Sequence, residues 1–347
     1  MAEKYLVVVD KLELKLKQMR SEGKTKLPSE LDLCKEYSCS RQTVRAALDV
    51  LLQKGLIVKR AGAGSYISEN TFISKTVFFM TEDRDRYQSP ALISGLKEQL
   101  SLHKYDLKTF STGGCVKREK EILLSVIRER PAALIIEPFA DLVPNPDQRL
   151  IEEITALGIP VIFCGSDSGE FHIAPDYAEG GKMLTKQLLD SGRKNIACIF
   201  RMDSSQGHDS YQGYLDALSD CDSEYDESLC LLLKHGEEKE IISGKGGILS
   251  DFIDNNLPGC DAVICQNGMI AHQLVSLLAD KNINVPQETS VACFDNGYYS
   301  ADGILSCGYD NEDFCRALAK TAVSLAEGRS AKSVTVRYQY SLESTNS

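Results

Sequence analysis

The chain has 347 residues, 43% of them hydrophobic and 26% charged, an ordinary globular balance with room for two or three domains. Its net charge of -11 argues against a broad nucleic-acid-binding surface until it is divided along the chain, where residues 1–70 hold 13 Lys/Arg against 9 Asp/Glu and the remainder holds 26 against 41. That split leaves an acidic body, which discourages DNA from wrapping it, and one basic N-terminal module to which DNA contact is confined.

In chain order, the first informative stretch is Lys26 to Ile67. Ser29 and Asp32 have capping-box spacing, Leu31 and Leu33 open the helix they start, and Tyr37-Ser38-Cys39 reads as a turn. Ser40 then caps a second helix carrying Arg41, Gln42, Thr43 and Arg45. Val44, Ala47, Leu48 and Leu51 fall on a neighbouring arc that anchors this helix to a small core. Leu56–Lys59 and Ser65–Ile67 read as strands joined by Ala61-Gly62-Ala63-Gly64. The order helix, turn, helix, wing predicts an α+β winged helix-turn-helix domain over residues 1–68, with a linker over 69–75.

Such a domain takes double-stranded DNA. Arg41 and Arg45 lie one turn apart on one side of the second helix; Arg pairs with a guanine edge and Gln42 with an adenine edge. Ser40 and Thr43 reach phosphates beside the helix N-terminus. Gly62 and Gly64 permit close approach to the sugar-phosphate backbone, and Lys59 and Arg60 add charge beside them.

From residue 76 to 347, short apolar runs alternate with amphipathic helices. Thr76–Met80, Leu107–Phe110, Ala133–Ile136 and Pro160–Phe163 read as strands, with helices over Ser89–Leu102, Lys117–Glu129 and Arg149–Leu157. Helix Asp176–Ser191, strand Asn195–Phe200, helix Tyr211–Leu218 and an extended Leu229–Leu232 follow. Helix Gly247–Asn255, strand Ala262–Cys265, helix Ile270–Lys281 and strand Ser290–Phe294 continue the rhythm, and Glu312–Glu327 and Val334–Tyr340 follow a return through Leu305–Asp310. This βαβ alternation predicts a two-lobed α/β domain of doubly wound parallel sheets.

Ligands of such sheets sit beyond the C-terminal strand ends. Glu137, Arg201, Gln266, Asn267 and Asp295 each follow a strand directly, and carboxylates, amides and a guanidinium suit a small polyhydroxylated ligand whose hydroxyls both donate and accept. Catalysis has no comparable signature. Gly244-Lys245-Gly246-Gly247 lacks phosphate-loop spacing, no Gly-x-Ser-x-Gly occurs, and the five histidines lack metal-ligand spacing, so no catalytic residue, metal or cofactor is expected.

Twelve cysteines form no Cys-x-x-Cys, and Cys34/Cys39 and Cys260/Cys265 lack zinc-site partners. Cys198, Cys265 and Cys293 lie within apolar runs, where a reduced thiol acts as a small hydrophobe. No segment approaches the roughly 20 apolar residues of a membrane span, and Leu6–Val9 is too short for a signal peptide. A cytoplasmic location without a membrane partner is therefore expected.

Two resemblances sharpen these expectations. Pro28-Ser29-Glu30, Ser40-Arg41-Gln42-Thr43-Val44-Arg45 and Gly55-Leu56-Ile57 with the glycine turn resemble the GntR-type winged helix. The resemblance implies base and phosphate reading by Arg41, Gln42, Thr43 and Arg45, and backbone contacts by Lys26, Arg60, Gly62 and Gly64. Asp176 through Gly180-Gly181 to Leu188, Ser191-Gly192-Arg193-Lys194-Asn195-Ile196, and Val263–Asn267 with Asn284-Val285-Pro286 and Phe294-Asp295-Asn296 resemble the LacI/ribose-binding-protein effector fold, the periplasmic-binding-protein type I architecture. Ile136-Glu137-Pro138, Pro144-Asn145-Pro146 and Gln206-Gly207 with Gly213-Tyr214 are similar to the arabinose-repressor subgroup of Gram-positive bacteria.

The implied protein is a homodimeric repressor of carbohydrate utilisation genes, reading a DNA operator under control of a small sugar such as L-arabinose. Glu137, Asn267 and Asp295 carry over to the sugar site, and Tyr87, after the first body strand, is placed to stack on an apolar sugar face. Ser210 stands where LacI-type sensors often carry a sugar-gripping Arg, and Arg201 is the guanidinium available from another wall. Another pentose, a nucleoside or a sugar phosphate is the alternative effector, and a solute-binding receptor the alternative class.

Overall fold

The computed structural model describes residues 2–53, 56–60, 63–68, 74–85, 89–245, 247–295, 303–329, 335–338 and 341–343. The chain divides into two compact units, one of residues 1–136, 147–162 and 319–332, the other of 137–146, 163–318 and 333–347.

The first unit opens with α1 (Ala2–Ser21), a helix without a counterpart in the sequence-based expectation. Val8, Val9, Leu12, Leu16 and Met19 recur at helical spacing and are buried. They pack with Leu33, Val44, Ala47, Leu48 and Leu51 of α2 (Glu30–Glu36) and α3 (Arg41–Gln53) in one small core. The expected capping box is present: Ser29 Oγ accepts from Asp32 N at 3.2 Å, and Ser29 N donates to the Asp32 carboxylate at 3.3 Å. Ser38, with φ of 50°, makes the turn between α2 and α3. The wing is β1 (Ile57–Arg60) paired antiparallel with β2 (Gly64–Ile67), and Lys26 bridges to Tyr66 at its edge. The expected linker over 69–75 lies mostly outside the described residues.

Next come β3 (Thr76–Thr81), α4 (Ser89–Leu102), β4 (Asp106–Ser111), α5 (Val116–Glu129), β5 (Ala133–Ile136) and α6 (Gln148–Ala156). Arg130, just past α5, reaches back to α1, donating to Glu13 at 2.5 Å and Asp10 at 3.1 Å. β6 (Val161–Cys164) and β7 (His172–Pro175) follow, then α7 (Tyr177–Asp190), β8 (Ile196–Arg201), α8 (Ser205–Asp220), β9 (Cys230–Leu233), α9 (His235–Ile242) and α10 (Ile248–Asn256). The chain finishes with β10 (Ala262–Cys265), α11 (Gly268–Asp280), β11 (Ser290–Phe294), β12 (Leu305–Gly308), α12 (Asn311–Ala326), β13 (Thr335–Tyr338) and β14 (Ser341–Glu343).

Two six-stranded sheets result, ordered β13-β7-β6-β5-β3-β4 and β14-β12-β11-β10-β8-β9. Among the described residues, β3 pairs with β4 and β5, β7 with β6 and β13, β8 with β9 and β10, and β11 with β10 and β12, all in parallel, whereas β12 and β14 are antiparallel. In each sheet the first strand of the run sits inside, and the order reverses beside it: between β3 and β5, and between β8 and β10. Doubly wound sheets bind ligands at such reversal points. The second sheet is buried on both faces, by Leu274, Ile270 and Phe252 on one side and Leu184, Leu188 and Tyr214 on the other. Apolar strands such as Ile196–Phe200 and Ala262–Cys265 follow from that double burial.

Candidate functional site

The first candidate surface lies on the winged helix. Arg41 and Arg45 project from one side of α3 with side chains 65% and 62% exposed, while the opposite arc is buried. Glu30, at the start of α2, holds both: Arg41 Nε donates to it at 2.9 Å, and Arg45 Nε lies 3.6 Å away. Ser40 Oγ accepts from Thr43 N at 3.2 Å and lies 2.8 Å from the Thr43 hydroxyl, so both hydroxyls sit at the α3 N-terminus. Gln42 is exposed on the same turn. Ser29 hydrogen-bonds Asp32 as the α2 cap, and that bond holds the Asp32 carboxyl below its usual range.

On the wing, the Arg60 guanidinium lies 4.6 Å and the Lys26 ammonium 5.8 Å from the centre of the Tyr66 ring. Gly64 has φ of 102°, the left-handed region that the tight wing turn requires. The structure thus gathers Lys26, Ser40, Arg41, Gln42, Thr43, Arg45, Arg60 and Gly64 on α3 and the wing. Gly62 lies outside the described residues.

The second candidate site lies at the reversal point of the second sheet. Arg201 ends β8, while Gln266 and Asn267 follow β10, and the three are joined. Arg201 N donates to Gln266 Oε1 at 2.5 Å. Arg201 Nη1 donates to Glu238 at 2.6 Å, and Asn267 Nδ2 donates to the other oxygen of the same carboxylate at 2.7 Å. Arg201 Nη2 donates to the Phe139 carbonyl at 2.7 Å, and Nε lies 3.0 Å from an Asp203 oxygen. Arg201 and Glu238 are 6% and 2% exposed, so this is a buried ion pair, in which both Arg201 Nη atoms are hydrogen-bonded while Nε makes an ion pair with Asp203 without a hydrogen bond. Asn267 Oδ1 also caps α11, accepting from Ile270 N at 3.0 Å.

Around this network stand His235, whose Nδ1 lies 3.4 Å from Arg201 Nη1, and Phe139, whose ring centre is 5.2 Å from that of His235. Asp141 accepts from Ser205 N at 2.9 Å and, with Ser204, closes off the N-terminus of α8. Asp295 follows β11, buried, its backbone N donating to Cys307 O at 3.0 Å; burial first and then its charge raise the Cys293 thiol. Glu137 follows β5, half-buried; its charge adds to burial in pushing up the Cys164 thiol and the Tyr177 hydroxyl. Tyr87 lies outside the described residues.

Sequence reasoning overlooked Glu238, Asp203, Phe139 and His235. The signal was available in part, because His235 opens α9 just after β9, as Arg201 closes β8, and Glu238 lies in the first turn of that helix. Ser210 is fully buried, and its hydroxyl makes no hydrogen bond among the described residues. Among the described residues no group of three or more His, Cys, Asp and Glu could hold a metal ion, and no helix is long and apolar enough to cross a membrane.

Comparison with known proteins finds relatives of both parts of the chain. The family model for bacterial regulatory proteins of the gntR family matches residues 4–67, and that for a periplasmic binding protein-like domain matches residues 185–343. An arabinose metabolism transcriptional repressor of Halalkalibacterium halodurans is 28% identical over 290 residues, covering 79% of this chain and 76% of the relative. The protein of the same name from Geobacillus stearothermophilus is 28% identical over 279 residues, covering 78% and 76%. In fold, the chain is similar to the transcription regulator CcpA of Lactococcus lactis, with a TM-score of 0.66 at 18% identity over 77% of this chain and 97% of that one. The chain therefore joins a gntR-family helix-turn-helix module, matched over residues 4–67, to a periplasmic-binding-protein-like domain, matched over residues 185–343.

Proposed function

We propose that the chain is a sugar-responsive transcriptional repressor acting in the cytoplasm as a homodimer. Residues 1–68 read a DNA operator through Arg41, Gln42, Thr43 and Arg45, with Lys26, Ser29, Ser40, Arg60, Gly62 and Gly64 holding the backbone. Residues 76–347 bind the effector, and 69–75 connect the two. Glu137, Arg201, Gln266, Asn267 and Asp295 form the effector site. The chain works by binding and not by turnover. The two named relatives are arabinose metabolism repressors, and L-arabinose is the first effector to test.

One observation supports a neutral effector over a phosphorylated one. The guanidinium of Arg201 is already committed to Glu238, to Asp203 and to the Phe139 carbonyl. Asp141 likewise meets the α8 N-terminus, where an anion would otherwise sit. A phosphate would have to displace the carboxylates of Glu238, Asp203 or Asp141, whereas hydroxyl groups of a neutral sugar meet carboxylate and amide oxygens on good terms.

The test is a thermal-shift titration with L-arabinose, other pentoses, a nucleoside and pentose phosphates, followed by operator binding with and without the stabilising compound. A ligand at 100 times its Kd stabilises the folded state by about 2.7 kcal/mol, a shift of several degrees. Stabilisation by a pentose phosphate alone would overturn the neutral-effector reading. Stabilisation by none, with operator release unaffected, would overturn the sugar reading itself.

A further inference from the structure

The second sheet places two pairs of cysteines side by side. Cys265 and Cys293 are register partners on β10 and β11, and Cys198 and Cys230 are register partners on β8 and β9. Register partners in a parallel sheet share a face, with strands about 4.8 Å apart, inside the roughly 4.4–6.8 Å Cα separation that a disulfide bridges. The two pairs differ in what governs thiol chemistry. Cys265 and Cys293 are fully buried on interior strands, and burial pushes both thiols up. Cys198 is equally buried and its thiol is likewise raised. Cys230 is only half-buried, and β9 is the edge of the sheet.

The surroundings of Cys230 are also distinct. The neighbouring Cys198 thiol first, and after it the nearby Tyr225 and Tyr211 hydroxyls, lower the Cys230 thiol to about 7 against the opposing effect of burial. The Tyr211 and Tyr225 hydroxyls are 2.9 Å apart, so one of the two protons is left for a further acceptor, and the Cys230 sulfur lies 3.7 Å from the Asp226 carbonyl oxygen. A thiolate so supported is a nucleophile at neutral pH, and its neighbour is in place to resolve what it forms.

We propose that Cys230 and Cys198 form a peroxide-oxidisable dithiol site, with Cys230 the attacking and Cys198 the resolving sulfur. The Cys230 thiolate attacks one oxygen of hydrogen peroxide, the O–O bond breaks, and the departing hydroxide takes up a proton as water. Cys230 is left as a sulfenic acid. The Cys198 sulfur then attacks the Cys230 sulfur; an S–S bond forms, and the sulfenic hydroxyl leaves with the Cys198 proton as a second water. Two thiols lose two electrons and two protons, and one peroxide becomes two waters. Closing the bond draws the two Cβ atoms together by about 1 Å, which an edge strand accommodates more readily than an interior one. The bond forms in the strand pair that ends in Arg201 and leads into Glu238.

The experiment titrates the reduced full-length protein with hydrogen peroxide, blocks remaining thiols by alkylation and maps the peptides by mass spectrometry. The expected product is a Cys198–Cys230 linked peptide pair about 2 Da lighter than the two thiol peptides, reversed by dithiothreitol, with Cys265 and Cys293 still reduced. Cys198→Ser should leave a Cys230 sulfenic acid that dimedone traps, and Cys230→Ser should abolish both products. The proposal is overturned if the exposed Cys115 or Cys221 is consumed while Cys230 stays reduced. It is equally overturned if Cys230 oxidises while Cys198 remains a free thiol.

Discussion

Glu238 uses its two carboxylate oxygens on two partners, Arg201 and Asn267, at 2% exposure. Burying a guanidinium is tolerable only because that carboxylate and Asp203 neutralise it and the Phe139 carbonyl accepts a further N–H hydrogen bond. Glu238→Ala would leave the Arg201 charge with Asp203 alone and strand the Asn267 amide. Breaking a buried pair costs roughly 3–5 kcal/mol, and the surviving Asp203 places this variant at the lower end, about 3 kcal/mol, readable as a lower urea midpoint with unchanged slope. An unchanged midpoint would mean that solvent, not Glu238, compensates Arg201. The arginines of α3 are the opposite case. Their contacts to Glu30 are exposed and worth at most about 1 kcal/mol, so they are readily exchanged for DNA. Under the proposed reading, Arg41→Ala and Arg45→Ala each weaken a specific operator by about 1–3 kcal/mol. Fluorescence anisotropy on an operator duplex checks this, and two variants that bind as tightly as the parent would sink the α3 assignment.

The contact of α7 with α8 shows how one element depends on another. A Cβ on Gly213 would lie 2.0 Å from Ala178 O and 2.7 Å from Lys182 N, and one on Gly181 would lie 2.2 Å from Ser210 O. All three obstacles are backbone, so the helices cross at a distance that only glycine allows. Gly213→Ala should therefore cost about 1–3 kcal/mol or more, whereas Gly236→Ala, with nothing within 4 Å of the added carbon, should leave the urea midpoint unchanged or raise it. Equal midpoints for the two variants would refute the close crossing. The same contacts mark the limit of what the sequence could disclose. Capping residues, wing and strand–helix alternation were legible because they rest on local chemistry and periodicity. Helix α8 was expected from Tyr211 but begins at Ser205; Gln206-Gly207-His208-Asp209 looks like a loop by propensity. Its first turn is instead fixed by Asp141, 64 residues away, and by Gly207, where a Cβ would meet Arg201 O at 2.0 Å. Helix α1 went unseen because Val7-Val8-Val9 favours strand by itself, and only the winged-helix core makes its buried stripe worth forming. At the candidate effector site, the sequence placed Arg201, Gln266 and Asn267 at strand ends, but did not disclose that Arg201 and Asn267 meet through Glu238.

At the scale of the whole molecule, charge is distributed against the sequence average. Residues 1–70 carry an excess of four Lys/Arg over Asp/Glu, and the remaining residues an excess of fifteen Asp/Glu over Lys/Arg. Each phosphate neutralised by a protein cation contributes about -0.9 to the slope of log K against log salt, so the slope counts contacts made by the basic module and ignores the acidic remainder. Lys26, exposed at the wing edge, is expected to be one such contact. Lys26→Ala should then lower affinity for operator and non-operator duplexes alike and reduce the magnitude of the slope by about 1. Lys186→Ala removes an equally exposed cation from α7 in the acidic part of the chain. It should leave the slope unchanged and shift affinity slightly at most, because screening over a Debye length of about 10 Å confines its influence at 0.1 M salt. Anisotropy titrations between 50 and 200 mM salt, roughly the range over which such slopes are resolved, separate these outcomes. If the two lysines change the slope equally, DNA is touching the acidic part of the chain, and the division of labour read from the charge distribution is wrong.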